Sequence, residues 1–77
     1  MTTQELCTEL EKMLQLSPGA VQPFSTLASL KGWDSIAAIE FMALADAKLG
    51  VSVPADRVAR AKTVAELVAL LEGKVTA

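Results

Sequence analysis

The chain has no histidine and no tyrosine, one cysteine (Cys7) and one tryptophan (Trp33). Nucleophilic catalysis needs a base beside a Ser, Cys or Thr, and without histidine only a Lys or a carboxylate remains. Lys31 and Asp34 are near Ser35 in sequence, but nothing builds an oxyanion hole around them. One thiol and no imidazole leave scattered carboxylates as metal ligands, too poor a set for a metal site. Paired carboxylates for glycoside chemistry need a cleft that so small a core does not readily build. The lone Gly32 forms no phosphate-cradling loop. Independent catalysis is therefore not expected.

Basic charge is also scarce. Seven Lys and Arg face nine Asp and Glu, for a net charge of −2. With no basic stripe interleaved with aromatics, nucleic-acid binding is not expected. No apolar run approaches the roughly eighteen residues that span a membrane. The opening Met1-Thr2-Thr3-Gln4-Glu5 has neither the basic stretch nor the apolar core of a secretory signal. A lone Cys7 cannot close an internal disulfide, which fits a reducing cytoplasm. It lies at the edge of an apolar stripe and reads as a small hydrophobe.

What is present is enough apolar material for one small domain spanning residues 1–77. Hydrophobic residues make up 52% of the 77, but aromatics only 4%. Leu, Val, Ile and Ala must do the packing, in a chain that buries only about 60–65% of its unfolded surface.

Four helices are legible, at about 3–16, 35–49, 55–60 and 64–72. Thr2 followed by Glu5 has the spacing of a capping box, and Leu6, Leu10, Met13 and Leu14 make one stripe. Ser17-Pro18-Gly19 should stop that helix. In the second, Asp34 is a good N-cap and Gly50 a good terminator. This helix is apolar on nearly all sides. Phe41, Ala45 and Leu49, extended by Ala38 and Met42, form a stripe assigned to the core. Ile36, Ile39 and Ala43 form another, left facing outward. A short third helix follows Pro54. Thr63 and Glu66 repeat the capping-box spacing before Val64, Leu67, Val68 and Leu71, with Gly73 as terminator and 74–77 as a frayed tail. Val51-Ser52-Val53 reads as a connector. The long loop 17–34 carries Val21, Phe24, Leu27 and Leu30, spaced as if it packs across the helices. The charge clusters Glu5, Glu9 and Glu11, and Arg57, Arg60 and Lys62, read as solvated faces.

Ser35 is the remaining chemical feature. Taken alone, a serine at a helix start reads most simply as a cap. Its surroundings add more. Asp34-Ser35-Ile36 with Glu40 four residues beyond resembles the attachment motif of the acyl carrier proteins. Ser17-Pro18 and Pro23-Phe24-Ser25-Thr26-Leu27 resemble that family's first loop. Leu49-Gly50-Val51-Ser52-Val53-Pro54 and Thr63-Val64-Ala65-Glu66-Leu67 resemble later landmarks in the same order.

The resemblance implies an all-α four-helix bundle of acyl-carrier type, with a long first loop and a short third helix. It implies that a phosphopantetheinyl transferase, using coenzyme A and Mg²⁺, places 4′-phosphopantetheine on Ser35, with Asp34 serving as motif residue and cap. The arm's thiol would hold acyl or aminoacyl groups as thioesters for loading and processing enzymes, the carrier itself being a non-catalytic monomer. An anionic phosphodiester would be favoured at the helix N-terminus. Ile36, Ile39, Glu40 and Ala43 are the expected partner surface. Trp33 is expected either to plug the loop or to touch the attached group or a partner. Fatty-acid carriers commonly have acids where this chain has Ile36-Ala37-Ala38-Ile39 and Lys48, and a small residue in place of Trp33. The pattern looks more like discrete carriers of specialised fatty-acid, polyketide or related pathways. The alternative is a small helical interaction module in which Ser35 is only a cap.

Overall fold

The computed structural model describes residues 1–76. Four α-helices follow one another: α1 (Thr3–Leu14), α2 (Ser35–Leu49), α3 (Ala55–Arg60) and α4 (Val64–Ala69). The described residues contain no β-strand, and the four helices form the expected all-α bundle. The loop between α1 and α2 carries one 3-10 turn, Leu27–Ser29.

Helix α1 begins as a full capping box. Thr2 Oγ1 accepts the Glu5 amide hydrogen at 3.1 Å, and Glu5 Oε1 accepts that of Thr2 at 2.9 Å. It ends at Leu14, two residues before the expected stop. Gln15 turns left-handed with φ 57°, and the Leu16 N–H donates back to the Glu11 carbonyl at 2.8 Å. That six-to-one bond closes the helix before Pro18 can.

Antiparallel to α1 runs α2, with Met13 and Leu14 beside Ile36 and Ala37, while Glu9 meets Lys48 at 3.8 Å near the other end. Its buried face is Ala37, Phe41 and Ala45, with Ala38, Met42 and Leu49 half-buried. The outer stripe is open, with Ile36 66% and Ile39 64% exposed. Gly50 ends the helix at φ 66°, where its N–H reaches the Ala45 and Asp46 carbonyls. The connector then sends Val51 and Val53 inward.

The final helix departs most from expectation. The α-helical part of α4 stops at Ala69, and Leu70 and Leu71 donate to carbonyls three residues back. Its last turn is thus tightened, not extended to residue 72. The cap is also displaced. Thr63 Oγ1 accepts from the Glu66 amide, but the Glu66 carboxylate accepts the amide hydrogen of Lys62 instead of closing the box on Thr63. Residues 74–76 are not frayed. The Thr76 carbonyl accepts from Thr3 N at 2.7 Å, the Thr76 N–H donates to Met1 O at 3.0 Å, and Val75 is buried. Ala77 lies outside the described residues.

The long loop is a structural member. Val21, Leu27 and Leu30 join the core around Leu6, Leu10, Phe41, Leu67 and Leu71. Phe24 does not; it is 80% exposed. The carbonyls of its neighbours Pro23 and Ser25 face α4, accepting the amide hydrogens of Ala65 and Val64 at 3.0 Å each. Those bonds leave the intervening side chain outside. The solvated reading of the first helix's acids also fails at Glu11, which is 5% exposed. Its Oε2 accepts from the Gly19 and Val21 amides at 2.9 and 3.0 Å, tying the loop to α1.

Candidate functional site

Ser35 is delivered to the surface by a turn that its neighbours dictate. The Trp33 N–H donates to the Leu30 carbonyl at 3.2 Å, and Gly32 sits at φ +91° as the third residue of that turn. A positive φ in that position is what a type II turn reserves for glycine. Space is not the constraint, because a Cβ at Gly32 would stand 3.7 Å from Leu14 Cδ2. The chain then extends through Asp34, whose Oδ1 accepts the Ala37 amide hydrogen at 2.9 Å. Ala38 N–H donates to the Asp34 carbonyl at 3.0 Å.

Asp34 is therefore the cap. Ser35 is the first helical residue and is exposed. The hydroxyl is not needed to start the helix. The Ser35 and Ile36 amides, at the open end of α2, have no intrahelical acceptor, and the helix dipole adds partial positive charge there. A phosphodiester on Ser35 Oγ fits this setting: a free hydroxyl on a helix start, with amide donors alongside.

Around Ser35, the outward residues Ile36, Ile39, Glu40 and Ala43 share one face of α2. Trp33 is half-buried, packs against the core and also walls a groove of about 540 Å³. The packing against the core agrees with the reading of Trp33 as a plug beside the loop. Leu27, Ala28, Ala61 and Lys62 share that groove. Between α1 and the start of α2, Met13, Leu14, Asp34, Ile36 and Glu40 line a smaller one of about 190 Å³. Sequence reasoning did not find Ala28, Ala61 or Lys62. They reach the site only because Thr26 and Thr63 pair across the loop, with the Leu27 N–H donating to the Lys62 carbonyl at 2.8 Å.

Cys7 stands apart from this surface, fully buried in the core. Burial pushes its thiol pKa up, and the Glu11 charge adds to the shift. It packs as a small hydrophobe. Among the described residues, no group of three or more Cys, Asp or Glu side chains is placed to hold a metal.

The sequence profile of the phosphopantetheine attachment site family matches residues 4–71, and the chain belongs to that family. Its members are carrier domains, generally non-catalytic, that bear covalently attached 4′-phosphopantetheine and interact with modifying transferases and biosynthetic enzymes. No curated protein and no solved structure gives a match to this chain.

Proposed function

We propose that Ser35 is the residue that bears 4′-phosphopantetheine, and that the chain presents acyl or aminoacyl thioesters on that arm to successive enzymes. The observation that supports this most directly is the division of labour at the start of α2. Asp34 supplies the cap, so Ser35 is left exposed with its hydroxyl free for modification. Had Ser35 been the capping residue, the interaction-module reading would have explained it fully.

A phosphopantetheinyl transferase, with coenzyme A and Mg²⁺, is the partner for the first step. The bond from Ser35 Oγ to the pantetheine-side phosphorus forms as the P–O–P link of coenzyme A breaks, releasing 3′,5′-ADP and the serine proton. The bound arm supplies a terminal thiol, and the carrier holds the arm's base on a rigid helix end. Loading and processing enzymes then meet the face made by Ile36, Ile39, Glu40 and Ala43, with Trp33 beside it. Because Ile36 and Ile39 occupy that face where acids are usual in fatty-acid carriers, we assign the chain to a specialised fatty-acid, polyketide or related pathway. A monomer acting in the cytoplasm fits this role, and no described helix is long and apolar enough to cross a membrane.

The test is direct. Incubation with coenzyme A, Mg²⁺ and a broad-specificity transferase adds one phosphopantetheine by intact mass. Ser35→Ala abolishes the addition and keeps the helical circular dichroism. An unmodified wild type across several active transferases would hand the assignment to the interaction-module reading.

A further inference from the structure

The seam between α1 and α2 is not filled by the chain's own side chains. It forms a groove of about 470 Å³ whose apolar lining is Met13 of α1 and Ala43, Leu44 and Ala47 of α2. Ala43 and Ala47 are exposed, and Met13 and Leu44 are half-buried. Glu9, Lys12 and Glu40 supply the charge around it. Glu40, Ala43, Leu44 and Ala47 stand at i, i+3, i+4 and i+7, so they share one helical stripe. Over those seven residues α2 advances about 10 Å, close to two turns.

The charge around the seam selects among occupants. Lys12 and Glu40 take part in no ion pair among the described residues, where the recorded pair is Glu9 with Lys48 at 3.8 Å. Such an exposed pair contributes little, so the Glu9 carboxylate stays open to another cation. Two carboxylates against one ammonium leave the rim net negative. A second copy seated here would set acid against acid, and an anionic lipid surface would be repelled in the same way. None of the chain's own core depends on the groove, since Leu6, Leu10 and Phe41 are already fully buried. What fits is a cationic partner with apolar side chains to cover the lining.

We propose that the α1–α2 seam docks an amphipathic helix of a partner protein. An apolar row of Leu or Met type lies over Met13, Ala43 and Ala47, and Lys or Arg flanks that row opposite Glu9 and Glu40. The short side chains of Ala43 and Ala47 let a third helix approach closely, because interaxial distance follows the size of the side chains at the contact. A helix laid in a groove reads it through anchors at i, i+3, i+4 and i+7, the spacing that the α2 stripe itself presents. The flexible Met13 thioether adapts to whichever anchor it meets. So small a contact makes the engagement weak and reversible. The inference goes beyond the carrier role and does not depend on what Ser35 bears.

The test uses the whole chain, isotope-labelled, and three synthetic peptides of about eighteen residues, long enough to be helical alone. One has a Leu row at helical spacing flanked by Lys. A second has the same composition scrambled, and a third has Glu in place of Lys. The first should shift the amide resonances of Lys12, Met13, Ala43, Leu44 and Ala47 to saturation, equally in wild type and in Ser35→Ala. The Glu-flanked peptide should bind at least about ten-fold more weakly, and raised salt should narrow that gap. Ala47→Arg, at an exposed position outside the face proposed for loading enzymes, should weaken the first peptide about ten-fold through bulk and like charge. The same variant should accept phosphopantetheine at the wild-type rate. Equal binding of the scrambled or Glu-flanked peptide, or shifts centred away from the seam, would overturn the proposal. Concentration-dependent shifts of the same amides without peptide would overturn it in favour of a second copy. Because Ser35→Ala is included, loss of the attachment reading would leave this result standing, and the reverse holds too.

Discussion

The carboxylate of Glu11 accepts the buried amide hydrogen of Val21 at 3.0 Å, and the same oxygen accepts that of Gly19 at 2.9 Å. An acid on α1 thus serves as the clasp for the loop that delivers Ser35. Glu11→Ala should cost about 2–4 kcal/mol, because it removes two charge-assisted bonds and orphans a buried donor. Glu11→Gln should cost much less, since one amide oxygen can accept both. Urea unfolding midpoints of the two variants measure the difference, and equal losses would show that charge, not acceptor geometry, matters here.

The two faces of α2 should separate stability from recognition. Phe41→Ala should cost about 3–5 kcal/mol and Leu67→Ala about 2–5. Ile36→Ala and Ile39→Ala should unfold close to wild type, yet slow modification or transfer by partner enzymes. Binding through that apolar stripe should weaken only a few-fold as salt shortens the Debye length from about 10 Å to about 3 Å. Ile39→Ala should be more damaging than Glu40→Gln. A steep salt dependence with the opposite order would indicate recognition led by the acid.

Gly32 tests whether the turn before the site matters for its conformation or for its room. With space for a Cβ, the cost of substitution is the positive φ, about 1–2 kcal/mol for an ordinary L-residue. Gly32→Asn, which tolerates left-handed geometry, should keep most of the transferase kcat/KM. Gly32→Val should lower it at unchanged α-helical content. If the two variants behave alike, the backbone conformation at this position does not govern presentation of Ser35.

Acid should loosen the start of α1. The Thr2 N–H, and secondarily the Thr2 hydroxyl, hold the Glu5 carboxyl below its usual range. A carboxyl with a lowered folded pKa binds protons more readily when unfolded, so its contribution is present above the unfolded pKa and lost as pH falls through the folded one. Wild type should therefore lose more stability than Glu5→Gln between neutral pH and pH values below the carboxylate range. Thermal melts across that interval compare them.

Much of this arrangement was legible because helical periodicity is a strong signal. The Phe41 stripe reads as core and the Ile36 stripe as surface, as observed, since a domain this small cannot bury α2 all round. The cap at Asp34 and the stop at Gly50 follow from local chemistry that neighbours do not override. The failures lie where a tertiary partner decides. Glu11 looks solvated until the loop's amides are brought to it. Phe24 looks like core until Pro23 and Ser25 turn their carbonyls to α4. In an irregular loop the side-chain direction follows each φ/ψ pair, and no period announces it. Lys62 and Ala61 join the site through the Thr26–Thr63 pairing, a contact between segments distant in sequence that local pattern does not encode.

The docking of loop carbonyls onto α4 bears on the order in which the domain assembles. A six-residue helix cannot persist alone, because nucleation is unfavourable and isolated helices shorter than about 12–15 residues are marginal. With the Val64 and Ala65 amides bonded to Ser25 and Pro23, the last helix gains its first turn only once the loop has condensed. Loop closure over that span carries its entropy cost before any reward. The loop and the C-terminal helix therefore form one cooperative unit, in which hydrogen exchange at Val21, Val64 and Ala65 shares a single opening event. Any partner that tugs on the loop pulls on the C-terminal helix as well.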